Sequence, residues 1–140
     1  MMRVLFVCVG NSGRSQMAEA FANKLGEGRV IAESAGTNPS DELDPTVVEV
    51  MKEIGYDITL QRPKMLTLEM VDRADKIITM GCGVSLDDVE HQGGACPASF
   101  LETEDWGLED PNGQPIEKVR EIRDEIKSRV ERLIEDITTM

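Results

Sequence analysis

The segment Cys8-Val9-Gly10-Asn11-Ser12-Gly13-Arg14-Ser15 most constrains the fold, because it stands directly between an apolar run and a helical pattern. The residues before it, Val4 to Val7, are apolar and partly β-branched, which is typical of a buried strand. The residues after it, Gln16 to Leu25, have the apolar spacing of a helix. The segment is therefore predicted to be a tight turn between a strand and a helix.

Such a turn can hold an anion. Its successive backbone N–H groups can point inward, and the following helix adds its partial positive charge. Gly10 and Gly13 permit the backbone conformations that this requires. Arg14 follows Cys8 after five residues, and its planar guanidinium can bind two oxygens at once. Residues 9–15 are therefore predicted to bind a tetrahedral oxyanion, such as phosphate or arsenate.

Cys8 is the candidate nucleophile of this turn. The helix end, the backbone amides and the guanidinium all favour the thiolate over the thiol, which makes a cysteine nucleophilic near neutrality. Ser15 can steady that thiolate by a hydrogen bond. The alternative is a buried core cysteine that ends a strand. The thiol, its spacing to Arg14 and the two glycines together favour the nucleophile.

Size and charge limit the function classes. The 140 residues fit one domain, 1–140, that can bury a core. A net charge of -12, from 27 acidic and 15 basic residues, argues against nucleic acid and anionic membranes as partners. No targeting segment and no apolar run of membrane-spanning length is recognised, so we expect a cytoplasmic protein whose three cysteines rest as thiols.

The rest of the pattern alternates strands with helices. Strands are predicted at 30–34 and 76–80, and helices at 45–54, where Asp44 caps and Gly55 ends the helix, at 66–73 and at 116–137. Such alternation predicts a parallel sheet covered on both faces, with ligands bound beyond the carboxyl ends of its strands. Cys8 and Cys82 each follow a predicted strand, so both are expected at that edge.

Cys82 and Cys96 are candidate partners of Cys8. Thirteen residues separate them, and Gly83, Gly93 and Gly94 would let this segment move. Two thiols supply the two electrons that reduce an oxyanion, and a third can carry the disulfide away by exchange. Alternatively, Cys82 is a small buried residue and Cys96 an incidental loop thiol. No metal site is predicted, because His91 with these two cysteines falls short of four zinc ligands.

Asp110 is the candidate acid. Attack of a thiolate on an oxyanion leaves an oxygen that needs a proton, and a carboxylic acid above the turn could supply it. The pair Asp110-Pro111 could equally shape a turn before the last helix, as Asp44-Pro45 starts the second one.

The segment 8–15 and the Gln16-Met17-Ala18-Glu19-Ala20 that follows resemble the low-molecular-weight protein tyrosine phosphatases, and more closely the thioredoxin-coupled arsenate reductases of the same fold. Further matching motifs occur in the same order: Ser34-Ala35-Gly36-Thr37, Ile78-Thr79-Met80-Gly81-Cys82, Cys96-Pro97 and Trp106 through Asp110-Pro111. The resemblance implies a three-layer α/β domain with a four-stranded parallel sheet, whose fourth strand comes from residues 99–101 or just after.

The resemblance also implies a reaction. Cys8 would attack arsenate held by Arg14 and the loop amides, while Asp110 donates a proton. Cys82 would then attack Cys8 and release arsenite, and Cys96 would attack Cys82. The resulting disulfide would lie on a mobile loop at about 82–97, where thioredoxin could reduce it. Phosphate or sulfate would mimic the substrate.

No cofactor is expected to be required. Some reductases of this group bind potassium beside the anion loop, and four residues here match that pattern: Asn11, Ser15, Glu19 and Ser34. Arg62-Pro63-Lys64, however, stands where an acidic ligand would be expected. A lysine in place of the ion is therefore the favoured alternative to potassium.

Two other functions remain open. A tyrosine phosphatase would use only Cys8, Arg14 and Asp110, but the related phosphatases carry aromatic residues beside the acid. Here Asp110-Pro111 is followed by Asn112-Gly113, and the chain has one tyrosine, Tyr56. A non-catalytic oxyanion sensor would explain Arg14 but would make Cys8 unnecessary.

Overall fold

A computed structural model describes residues 1–80 and 102–139, apart from the side chains of Glu102 and Thr103. Its strands are β1 (Met2–Cys8), β2 (Val30–Gly36), β3 (Lys76–Thr79) and β4 (Glu102–Asp105). Its helices are α1 (Arg14–Leu25), α2 (Pro45–Glu53), α3 (Leu68–Arg73) and α4 (Ile116–Thr138). The strands form one parallel sheet in the order β2-β1-β3-β4, so the predicted α/β fold with four parallel strands is confirmed.

Alternate residues of the central strand β1 face two separate cores. Val4, Phe6 and Cys8 belong to the larger core, which also takes the buried faces of α1, α2 and α4. Leu5 and Val7 belong to the smaller core, which includes Val71 of α3. Successive side chains of a strand point to opposite faces, so β1 is buried on both sides. The arrangement is the expected three-layer sandwich.

Two helices carry the signals that predicted them, α2 at its amino end and α4 along its apolar face. Asp44 caps α2, since its Oδ1 accepts a hydrogen bond from the Thr46 N–H at 3.0 Å, and Pro45 takes the first helical position. The long helix α4 buries the apolar stripe predicted for it, with Val119, Ile126 and Val130 fully covered. In the part of the chain described here, no helix is both long and apolar enough to cross a membrane.

The observed strand ends differ from the predicted ones. β2 continues through Ala35 to Gly36, because these residues pair with Val7 and Cys8 of β1. β3 ends at Thr79, one residue earlier than predicted. β4 begins at Glu102, which agrees with the prediction of a fourth strand from residues 99–101 or just after. Pairing with a neighbouring strand sets these ends, and the local sequence pattern does not report it.

Candidate oxyanion site

The anion loop, residues 8–15, lies at the carboxyl edge of the sheet between β1 and α1. The segment 37–44 holds its carbonyl groups: Asn38 N donates to Val9 O at 2.9 Å, Ser40 N to Gly10 O at 2.9 Å and Asp44 N to Ser12 O at 3.0 Å. In a trans peptide the N–H points opposite to the C=O of the same unit. The N–H groups of these peptides therefore point away from the segment, as an anion cradle requires.

Cys8 is buried at the base of this loop, and two groups lie within hydrogen-bond distance of its sulfur. Asn11 N donates to Cys8 Sγ at 3.1 Å, and Ser15 Oγ lies 2.8 Å from it. Ser15 Oγ already accepts a hydrogen bond from Asn11 Nδ2 at 2.7 Å, so its own proton is available to the sulfur. Two donors directed at one sulfur suit a thiolate.

Asn11 gives the loop its shape. Its φ of 49° lies in the left-handed region, which asparagine adopts more readily than most residues do. Its side chain is fully buried, and its Oδ1 accepts from Lys64 N at 2.8 Å and from Gln16 Nε2 at 3.0 Å. The surrounding contacts thus fix a backbone conformation that directs the Asn11 N–H at Cys8.

Arg14 is buried and connects the loop to two other strands. One guanidinium nitrogen, Nη1, donates to Met80 O at 3.2 Å and to Leu108 O at 3.0 Å. Met80 follows β3, and Leu108 follows β4. These carbonyls hold the cationic group at the edge of the sheet where Cys8 lies.

Asp110 lies next to a residue that packs on the anion loop. A Cβ atom added to Gly13 would lie 3.0 Å from Cγ of Pro111, which is buried. Asp110 itself is exposed, and its Oδ1 accepts a hydrogen bond from Asn112 N at 3.0 Å. The carboxylate shapes a turn, as one interpretation expected. Its role as proton donor stays a prediction.

Glu19, Ser34 and Lys64 form a group beside the loop. Ser34 Oγ donates to Glu19 Oε1 at 2.9 Å, and Lys64 Nζ lies 3.7 Å from the same oxygen. Burial raises the pKa of Glu19 above its ordinary value, and the Lys64 ammonium opposes that rise. Among residues 1–80 and 102–139, no three acidic, histidine or cysteine side chains are grouped as metal ligands would be.

Sequence reasoning did not assign roles to two residues that shape this site. Gln16 is fully buried and donates to Asn11 O at 2.9 Å and Arg62 O at 3.0 Å, although glutamine is mostly exposed in proteins. Gly36 lies so close to the loop that an added Cβ would be 2.5 Å from Val9 O. A glycine ending a strand was the only available signal for this contact.

The other two thiols fall outside the described residues. Residues 81–101 are outside the described part of the chain, and they include Cys82, His91, Cys96 and the loop predicted at about 82–97. Their roles therefore stay predictions from the sequence.

Known proteins match nearly the whole chain. The family model of the low molecular weight phosphotyrosine protein phosphatases matches residues 3–140. A putative arsenate reductase from Halobacterium salinarum is 40% identical over 136 residues, covering 94% of this chain and 89% of that protein. A glutaredoxin arsenate reductase from Synechocystis sp. is 40% identical over 142 residues, covering 99% of this chain and all of that protein, 100%.

Solved structures are also similar to this chain over nearly its whole length. An arsenate reductase in the phosphate binding state has a TM-score of 0.84 at 40% identity and covers 98% of this chain and 99% of its own. A thioredoxin-dependent arsenate reductase from Corynebacterium glutamicum has a TM-score of 0.79 at 34% identity, covering 99% of this chain and 63% of its own. An arginine phosphatase from Geobacillus stearothermophilus has a TM-score of 0.85 at 31% identity, covering 99% and 94%. The chain therefore belongs to the low molecular weight phosphotyrosine protein phosphatase family.

Proposed function

We propose that this chain is an arsenate reductase, which reduces arsenate to arsenite through Cys8, Cys82 and Cys96. The observation that carries the proposal is the buried Cys8 sulfur with two hydrogen-bond donors directed at it. The peptide N–H groups of the same loop point away from the segment 37–44, which binds the loop carbonyls. The relatives named arsenate reductases, at 40% identity over nearly the whole chain, support arsenate as the oxyanion.

In the first step the Cys8 thiolate attacks the arsenic atom and forms an S–As(V) bond. One arsenate oxygen leaves as water, with a proton from Asp110. Arg14 and the N–H groups of the anion loop balance the charge on the remaining oxygens. The Asn11 N–H and the Ser15 hydroxyl hold the sulfur in place for this attack.

In the second step the Cys82 thiolate attacks the sulfur of Cys8. The S–As bond breaks, and its electron pair stays on arsenic, which is thereby reduced to arsenite. The product on the protein is a Cys8–Cys82 disulfide. Cys96 then attacks Cys82, which frees Cys8 as a thiolate and leaves a Cys82–Cys96 disulfide.

We propose thioredoxin as the reductant of that disulfide and the cytoplasm as the compartment. The Corynebacterium glutamicum structure is named thioredoxin-dependent, which supports this choice. The Synechocystis relative is named a glutaredoxin arsenate reductase, so glutaredoxin is the reductant to compare.

A coupled enzyme assay tests the proposed function. Native protein with arsenate, thioredoxin, thioredoxin reductase and NADPH should oxidise NADPH, and Cys82→Ser should not. A parallel reaction replaces thioredoxin and its reductase with glutaredoxin, glutathione and glutathione reductase. Arsenate-independent NADPH oxidation, or no oxidation in either system, would overturn the proposal.

A phosphatase is the second candidate, since the arginine phosphatase structure superposes over 99% of this chain. It would use Cys8, Arg14 and Asp110, with water releasing phosphate from Cys8. We expect a weak side activity of this kind, because phosphate and arsenate are alike in shape and charge. Cys82→Ser should leave that activity intact, which separates the two functions.

A further inference from the structure

A mostly buried carboxylate lies beside a loop that has to bind an anion. The side chain of Glu19 is only 13% exposed, and Glu19 is four residues after Ser15 on α1. An ionised carboxylate there repels a bound oxyanion, and the net charge of -12 adds to that repulsion. The loop therefore benefits from a cation that neutralises Glu19.

Lys64 supplies a cation and also contacts the loop. Its ammonium lies 3.7 Å from Glu19 Oε1, and its backbone N–H donates to Asn11 Oδ1 at 2.8 Å. The backbone of Lys64 is fixed, because its carbonyl accepts from Gly36 N at 2.8 Å. Lys64 thus joins the mostly buried carboxylate of Glu19 to the Asn11 side chain that shapes the loop.

The oxygens that would coordinate potassium already accept hydrogen bonds from the protein. Asn11 Oδ1 accepts from Lys64 N and also lies 3.0 Å from Gln16 Nε2, whose two N–H groups are shared among Asn11 Oδ1, Asn11 O and Arg62 O. Ser15 Oγ accepts from Asn11 Nδ2, and Glu19 Oε1 has the Ser34 hydroxyl and the Lys64 ammonium. These residues do not fit a potassium ion.

We propose that Lys64 is a positioning residue for oxyanion binding, whose ammonium neutralises Glu19 and takes the place of a potassium ion. The inference rests on the proposed function only in taking the oxyanion of this loop as the substrate. It adds that anion affinity depends on the pair of Lys64 and Glu19 and not on dissolved potassium.

The charged neighbours of Glu19 are consistent with this role. Glu33 of β2 also raises the pKa of Glu19, but Glu33 is itself paired with Arg73 at 2.6 Å. Of the groups acting on Glu19, Lys64 is the largest that favours its ionised form, ahead of the Ser34 hydroxyl. Removing the ammonium therefore leaves Glu19 without the cation that offsets its burial.

The test measures inorganic phosphate affinity of the reduced protein by calorimetry at pH 7.5. Lys64→Met should weaken binding about tenfold, and Lys64→Arg should stay within about twofold of native. In the Glu19→Gln background, Lys64→Met should weaken phosphate binding by less than about twofold, because no carboxylate remains to be neutralised. Lys127→Met, which removes a half-buried lysine of α4, is the matched control and should change nothing.

If Lys64→Met lowered phosphate affinity equally in the native and the Glu19→Gln backgrounds, the inference would be overturned, because the lysine charge would then act without involving Glu19. A second arm compares native protein in potassium chloride and tetramethylammonium chloride at one ionic strength. Equal phosphate affinity is expected, and tighter binding in potassium would also overturn the inference. This arm needs no variant to fold. Failure of native protein to bind phosphate would instead count against the proposed function.

Discussion

At the scale of single residues, the anion loop depends on contacts that its own sequence does not contain. Asn11 keeps a φ of 49° because Gln16 and Lys64 hold its side chain, and Lys64 lies 53 positions further along the chain. Cys8, Arg14 and the glycines of the loop could be recognised from their spacing. The roles of Gln16 and Gly36 and the backbone contact of Lys64 with Asn11 could not, because they follow from tertiary contacts; the sequence predicted only that a lysine takes the place of the ion.

Asn11→Ala should destabilise the protein by about 2–4 kcal/mol, since it leaves buried donors without an acceptor and puts alanine in the left-handed region. Chemical denaturation measures this change. The control is Asn38→Ala, which alters an exposed asparagine whose backbone N–H still donates to Val9 O. Equal stability of the two variants would contradict the role given to the Asn11 side chain.

Gly36→Ala should weaken phosphate binding, because the added Cβ would lie 2.5 Å from Val9 O and would displace the loop. Such overpacking should also cost about 1–3 kcal/mol of stability. Gly28→Ala is the comparison: its Cβ meets nothing within 4 Å, but its φ of 84° disfavours alanine. That variant should lose stability and keep its phosphate affinity by calorimetry. Unchanged affinity in Gly36→Ala would show that the loop does not need the glycine.

At the scale of elements, the sequence predicts a helix or strand best where it contains a cap or a continuous apolar face for that element. α2 has its cap, its first-turn proline and its apolar face, and α4 has a continuous apolar stripe. The carboxyl end of β2 has no such signal, because its last residues are defined by pairing with β1. That end matters for the site, since Gly36 pairs there with Cys8.

An ion pair fastens β2 to α3 and gives a pH-dependent prediction. The Arg73 guanidinium, 2.6 Å from Glu33, holds the pKa of Glu33 below its ordinary value of 4.5. A lowered carboxylate pKa adds stability above pH 4.5, and this is lost as the pH falls through the folded-state pKa. Arg73→Met should therefore lower the free energy of unfolding at pH 7 by the small amount typical of an exposed ion pair, and lower it less at pH 3.5.

Urea denaturation at both pH values checks this, with Arg132→Met of α4 as the control for loss of one exposed positive charge. If Arg73→Met lowered the free energy of unfolding by the same amount at pH 7 and at pH 3.5, the ion pair would not contribute to stability.

At the scale of the whole molecule, the parallel sheet brings separate parts of the chain to one edge. Cys8 ends β1, and the guanidinium of Arg14 contacts the carbonyls that follow β3 and β4. Alternating strands and helices predict this edge, so the fold and the position of Cys8 at that edge could be predicted from the sequence, whereas its role as nucleophile stays a prediction. The order of the three thiols could not be derived from spacing and came from family resemblance.

The most direct test of the central claim is a single turnover without external reductant. Fully reduced native protein, mixed with excess arsenate, should release about one arsenite per chain and go from three thiols to one. Cys82→Ser should release none, because nothing attacks the sulfur of Cys8. Arsenite release by Cys82→Ser at the native rate, or none by native protein, would contradict the thiol relay.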